Sequence, residues 1–338
     1  MNSAASTTGL SKWWADRCWK IGKHLDDMGR RLLVRAPAAA RVYAWVLAGR
    51  RGRPRLFPGW TFACEYFVER RWMALRRGAL WEFALERQLV FPLTVAWYGG
   101  TRVEVTLGND QSLCLFVAGS FEPNEFAFLD RVVRPGMTFV DIGANEGLFT
   151  LFASRRVGRQ GRVVSVEPSS RERASLEANL RRNGIGNVTV VPHALADRPG
   201  SARLQIAARL HGGHNTLGAF TYDDVDAVAV EEVAVETLDA LAARLALGKV
   251  DVIKIDVEGA EVKVLSGGRA LLAAHRPILL IEANDGALKG QGASTDALLA
   301  TLRELGYRIE VFSDSTGEVV PMAPDGSPSA NIVAVPST

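Results

Sequence analysis

The sequence predicts an α/β protein built on a Rossmann-like open sheet, preceded by a helical, Trp- and Arg-rich N-terminal region and a small antiparallel β meander. Three observations predict it. The apolar strand Thr138–Ile142 carries an acid, Asp141, and runs into the glycine-rich turn Gly143-Ala144-Asn145-Glu146-Gly147 and then a helix. A second apolar strand, Arg162–Val166, ends at Glu167-Pro168. That is about 20–25 residues past the turn, where an acid in such a sheet pairs with ribose hydroxyls. Beyond it, short apolar strands and amphipathic helices keep alternating, as a largely parallel sheet requires.

The elements follow in order. Residues 1–90 read as helical, with a break at Gly49–Arg55 (GRRGRPR), and apolar positions such as Trp72, Leu75, Ala79, Leu80 and Phe83 recur at helical spacing. Over 91–118, the runs Thr94–Tyr98, Arg102–Leu107 and Ser112–Val117 read as three strands separated by glycine turns. Residues 119–338 then form the main domain. After Glu167, Ser169 or Ser170 can cap a helix over Arg171–Asn183, and Gly184 can close it. Strand Val188–Val191 leads into His193-Ala194-Leu195-Ala196-Asp197, and an adenine ring would lie against that loop at Ala194.

An insertion, Ala202–Val235, follows and contains His211 and His214 in a Gly- and Asn-rich loop placed to fold over a bound ligand. Next come a helix over Glu236–Leu247, a fourth strand Val250–Asp256, a helix over Ala260–Ala274 and a strand Ile278–Ala283. A helix Ser294–Leu305 and strands Tyr307–Phe312 and Asn331–Val335 complete the sheet, with an exposed loop over Ser313–Ala330.

The turn is not a dinucleotide fingerprint, because Asn145 stands where the second glycine belongs; a nicotinamide dehydrogenase is thereby excluded. An acidic D-x-G-x-N-x-G turn with no pyrophosphate to cradle suits a cationic ligand. Several blocks together resemble the FkbM family of S-adenosylmethionine-dependent methyltransferases: PGMTFVDIGANEGLFTL (135–151), Glu167-Pro168, HALAD (193–197), VDVIKIDVEGAEVKVL (250–265) and ILLIEAN (278–284). GSFEPNEFAFL (119–129) is also similar to that family, and the resemblance runs from Phe116 to Val335.

The resemblance implies a class I methyltransferase sheet of seven strands in the order 3-2-1-4-5-7-6, with strand seven antiparallel. It implies S-adenosyl-L-methionine as cofactor, bound through Asp141, Gly143, Asn145, Gly147 and Glu167, and active-site acids at Asp256 and Glu258. It implies methylation of a hydroxyl on a sugar, glycan, glycolipid or natural product.

A hydroxyl is a poor nucleophile at neutral pH and benefits from a general base. The candidates are His214, Asp256 and Glu258, with Asn284 orienting the acceptor; Glu261 reads as a helix-surface charge. Asp256, Glu258, Glu282, Asn284 and Asp285 could offer oxygen ligands to Mg²⁺, but acids cluster at the edge of many α/β sheets and no metal is assigned. N-methylation of a small or lipid-linked acceptor and a non-catalytic cofactor-binding module are the alternatives. Nucleic acid is not expected as a substrate, since neither an N/D-P-P-Y/F segment nor a Pro-Cys nucleophile is present.

Composition fits a cytoplasmic enzyme. The 338 residues are 48% hydrophobic, the three cysteines are scattered, and neither a secretory leader nor an apolar run long enough to span a bilayer is apparent. Charge is uneven. Residues 1–90 hold 17 basic and seven acidic groups, a balance of +10 in a chain of net +3, and all eight tryptophans lie before residue 98. Three readings follow: a helical cap on the sheet, a peripheral surface for the inner membrane face or an anionic lipid, or a nucleic-acid surface.

Overall fold

The computed structural model describes residues 9–48, 71–208, 213–218, 220, 227–323, 326 and 328–337, without the side chains of 9–19 and 71–74. Gly49–Arg55 and His211 lie outside these residues. The described chain divides into two compact units.

The first unit comprises 9–48, 71–95 and 105–119. Its long helices are Gly9–Arg35, Pro37–Ala48 and Arg71–Glu86. Pro37 sits at the first position of its helix, where the missing N–H costs nothing, and the chain folds back there. The Tyr43 hydroxyl consequently donates to the Leu25 carbonyl at 3.3 Å. The helices meet at Gly29, where an added Cβ would stand 2.8 Å from both Tyr43 and Leu80. Arg77, only 3% exposed, donates to the carbonyls of Leu47 (2.7 Å) and Val117 (3.2 Å), placing its charge at two helix C-termini.

The expected three-stranded meander is corrected. Strands β1 (Pro92–Ala96) and β2 (Arg102–Thr106) pair, but Leu113–Ala118 is a π-helical turn. Asn109 caps the short helix Asp110–Ser112 that leads into this turn, its side chain accepting from the Ser112 N–H at 2.8 Å. Cys114, Leu115, Phe116 and Val117 are all buried, so the segment lacks the alternation that separates a strand from a buried helical turn.

The second unit comprises 96–104 and the described residues from 120 onward. Its sheet contains β3 (Thr138–Ile142), β4 (Arg162–Val166), β5 (Val188–Val191), β9 (Val252–Ile255), β10 (Ile278–Glu282), β11 (Tyr307–Phe312), β12 (Val319–Pro321) and β13 (Asn331–Pro336). The order across the sheet is β12-β11-β13-β10-β9-β3-β4-β5. From β10 to β5 the strands run parallel, whereas β13 is antiparallel to β10 and β11. The sheet has eight strands rather than seven: β12 pairs antiparallel with β11 inside the segment expected to be a loop.

Alternation assigns the two faces. Val140, Ile142, Val164, Ile253, Ile255, Leu279 and Ile281 pack against helices Leu238–Arg244, Glu261–Ser266, Arg269–His275 and Thr295–Glu304. The expected continuous helix over 260–274 is broken at Gly267-Gly268. An added Cβ at Gly267 would lie 2.1 Å from the Ala196 carbonyl oxygen, and one at Gly268 would lie 2.7 Å from Leu238. On the opposite face, Phe126 stacks on Phe149 at 4.4 Å, and Trp97 and Phe152 meet Phe126 edge-on.

The insertion is also more regular than expected. Its alternating apolar residues form a hairpin of β7 (Gly200–Ala207) and β8 (Ala227–Glu236), to which β6 (Ala194–Leu195) adds in parallel. Ala194 is buried in that small sheet.

Candidate active site

The parallel strands bring their carboxyl ends to one edge, where ligands bind in open α/β sheets. The turn after β3 is held there by backbone. Gly143 and Ala144 both donate to the Val166 carbonyl at 3.0 Å, wrapping the turn around the tip of β4. Gly143 has φ +79°, and a Cβ on it would stand 1.7 Å from the Asp256 carbonyl oxygen. Only glycine can pass this point.

Asn145 turns the chain with φ +49°, and its backbone N–H donates to Glu167 Oε2 at 2.8 Å. Glu167 Oε1 accepts from the Ser169 N–H at 2.8 Å. The two amides fix the carboxylate at the end of β4 and leave each oxygen a further lone pair. Gly147 begins the next helix with φ +94°.

Asp141, expected to bind the cofactor, lies in the interior of the sheet. It is wholly buried, and its Oδ2 accepts from Thr150 Oγ1 at 2.6 Å. Thr150 Oγ1 also lies 2.6 Å from Ser165 Oγ. In the strand register Asp141 pairs with Ser165 on one side and Lys254 on the other, so the three side chains form a polar row across the centre of the sheet.

Lys254 was missed by sequence reasoning. Its Nζ donates to Asp256 Oδ2 at 2.8 Å and lies 4.7 Å from the centroid of the Phe149 ring. Burial works to lower its pKa, but the carboxylates of Asp256, Asp141 and Glu122 outweigh burial and the net shift is upward. The signal was there to read: one lysine in the otherwise apolar strand VIKI has to find acids.

Beyond β9, Asp256, Glu258 and Glu282 converge, each with a carboxylate oxygen within 4.8 Å of the others. Burial raises the pKa of Glu282 well above the usual range, and the charges of Asp256, Glu258 and Glu261 add to the effect. Glu258 has φ +52°, and its Oε1 lies 3.4 Å from His214 Nδ1. Burial raises the Glu258 pKa, partly offset by hydrogen bonding to His214. The structure thus brings together two residues that the sequence suggested separately. Thr216 Oγ1 donates to the Glu258 carbonyl at 3.1 Å and ties the insertion to this loop.

One residue is corrected, and a second is found to cap a helix. Glu261, expected as a surface charge, is 1% exposed, and its Oε1 accepts from the amides of Val257 (3.1 Å) and Gly259 (3.2 Å). Asn284, expected to orient the acceptor, caps helix Asp285–Gly290: its Oδ1 accepts from Gly286 and Ala287.

Glu122 and Glu125 were also not singled out from sequence. Glu122 has φ +39° immediately before Pro123. Asn331, whose backbone pairs with Glu282, donates from Nδ2 to Glu125 Oε1 (3.1 Å) and Glu122 Oε1 (3.5 Å). Both carboxyls therefore join the same sheet edge.

This concentration of buried acid has a pH signature. Burial first, then neighbouring carboxylates, pushes Glu122 up to about 8; burial likewise pushes Glu167 and Glu261 up to about 7, against an ordinary 4.5. A raised folded pKa favours the protonated fold. Its stabilisation is complete below the unfolded value and is lost as pH rises through the folded one. The contribution of these groups to the melting temperature is expected to fall between about pH 4.5 and 8, and a Glu122→Gln scan across that range is expected to be flatter than wild type.

The profile of the methyltransferase FkbM domain matches residues 141–309, half of the chain and most of the site just described. The chain belongs to this family. Among curated relatives, the AMB antimetabolite synthetase AmbE of Pseudomonas aeruginosa is 31% identical, with 54% of this chain and 10% of the synthetase aligned. The 31-O-demethyl-FK506 methyltransferase FkbM of Streptomyces tacrolimicus is 31% identical over 40% of this chain and 60% of its own length. The chain thus spans about a tenth of the first and 60% of the second. A solved FkbM methyltransferase from Methylobacillus flagellatus is 17% identical and covers 65% of this chain and 52% of its own, with a TM-score of 0.38. Within the FkbM domain of this protein, Asp141, Gly143, Asn145, Gly147, Glu167, Asp256, Glu258 and Glu282 all fall inside the matched segment, as does His214.

Proposed function

We propose that this FkbM domain binds S-adenosyl-L-methionine at the turn after β3 and methylates a hydroxyl of a sugar, glycan, glycolipid or natural product. The observation that carries the reading is the joined site at one sheet edge, with the Gly143–Gly147 turn and Glu167 on one side and the His214–Glu258 pair beside Asp256 on the other. The residues fit the cofactor. Glu167 keeps lone pairs for ribose hydroxyls, and the Oδ1 atoms of Asn145 and Asp141 are buried acceptors without a hydrogen-bond partner among the described residues, suited to a cationic ligand.

The bound cofactor supplies an electrophilic methyl on a sulfonium, transferred by in-line displacement. The chain's residues do the rest. Lys254 holds Asp256 at the edge of the site, Glu258 orients His214 through Nδ1, and His214 takes the acceptor's proton at Nε2 as the oxygen attacks. The name of the Streptomyces relative, a 31-O-demethyl-FK506 methyltransferase, supports oxygen as the methylated atom.

The test is a screen with S-adenosylmethionine labelled in its methyl group against paired acceptors that differ only in hydroxyl or amine. Label on the hydroxyl member, with turnover in His214→Ala reduced about 10²–10⁴-fold, is the expected result. Label only on amines would move the assignment to N-methylation. Full turnover by His214→Ala would remove the base.

A further inference from the structure

Helix Pro37–Ala48 is apolar on two faces. One face packs inward through Ala40, Ala44, Leu47 and Ala48. The other carries Val42, Trp45 and Val46 at i, i+3 and i+4, exposed by 62%, 64% and 53%. Val34, at the end of the preceding helix, is 57% exposed. An isolated exposed valine means little, but an exposed tryptophan within an apolar helical stripe leaves hydrophobic area in water without compensation.

Arg35 and Arg41 are exposed next in sequence to Val34 and Val42, the Arg41 guanidinium lying 5.8 Å from the centroid of the Phe91 ring, and Lys20, Lys23 and Arg31 are exposed on the helix before it. Asp26 is engaged by Arg76 at 2.9 Å, and Asp27 lies 3.9 Å from Arg30.

We propose that the Val42–Trp45–Val46 face docks on an anionic lipid surface, with the tryptophan and valines entering the headgroup boundary and Arg35 and Arg41 meeting lipid phosphates. Three features of the face select this occupant. Indole is suited to the boundary, where its ring is shielded and its N–H stays wet. Arginine can lay its stem along the apolar layer while its guanidinium reaches phosphate. A second copy of the chain is a poor fit, because one tryptophan and three valines fall short of the roughly 800 Å² per partner that a stable dimer buries. Among the described residues no helix is long and apolar enough to cross a membrane, so the contact is peripheral.

The test is co-sedimentation of the full chain with phosphatidylcholine vesicles and with vesicles also containing phosphatidylglycerol. The expected result is binding to the anionic vesicles, weakened by salt, and reduced about tenfold by the triple change Val42→Ser, Trp45→Ser, Val46→Ser. The pair Arg35→Glu, Arg41→Glu is expected to lower it at least as far. It leaves the apolar face intact, and so decides the matter should the triple variant fail to fold. Three outcomes would overturn the proposal: wild-type protein that stays in the supernatant, variants that bind like wild type, and a dimer in ultracentrifugation that dissociates on Trp45→Ser without any vesicle binding.

Discussion

Gly143→Ala is expected to cost more than about 3 kcal/mol of stability and to abolish cofactor binding in whatever folded protein remains. Two penalties coincide at this residue. Its φ of +79° disfavours any side chain, and the new Cβ would stand 1.7 Å from the Asp256 carbonyl oxygen. Backbone, not a flexible side chain, would have to give. The turn would separate from the start of the loop after β9, taking with it the amide that Asn145 presents to Glu167. Gly184→Ala is the control, since Gly184 also has positive φ (+61°) but its Cβ would meet nothing within 4 Å. A loss of about 1 kcal/mol is expected there. Urea denaturation followed by circular dichroism measures both, and equal costs for the two variants would contradict the close approach.

Lys254→Met is expected to destabilise the protein by about 3–5 kcal/mol, because it strands buried carboxylates without their cation. Asp256 loses its 2.8 Å partner, and Asp141 and Glu122 lose the positive charge that offset their burial. The defect should grow as pH rises and those acids ionise in the unfolded chain while the fold resists their charge. Adding Asp256→Asn should recover part of the loss, because the two residues share one interaction. Simple addition of the two single costs would show that the contact is not coupled.

Much of this arrangement was legible in the sequence because its determinants are local. A strand of apolar residues, a turn needing glycine and an acid at the next strand's end each announce themselves within a few residues, and β3, Gly143 and Glu167 lie where that logic puts them. What was not legible depends on packing at a distance. Leu113–Ala118 is apolar throughout and buried over Cys114–Val117, so periodicity could not tell a helical turn from a strand. Glu261 is on a helix whose surface position looks solvated until the Val257 and Gly259 amides are seen to point at it. Asn284 has the chemistry to bind a substrate, but two unpaired N–H groups at a helix start claim it first. Glu122 reaches the site only because Asn331, 209 residues away, is held opposite Glu282.

Lys254 is the instructive omission. A lone charge inside an apolar strand cannot remain unpaired, so its presence forecasts a buried ionic network even before its partners are known. The partners, Asp141 and Asp256, were already in view as site residues.

The measurement that bears most directly on the central claim is calorimetric titration of the full chain with S-adenosylmethionine and S-adenosylhomocysteine, alongside Glu167→Ala. Saturable binding of both ligands by the wild type, lost in a Glu167→Ala protein that retains its fold, is the predicted result. Well-folded wild type that releases no heat with either ligand would contradict it.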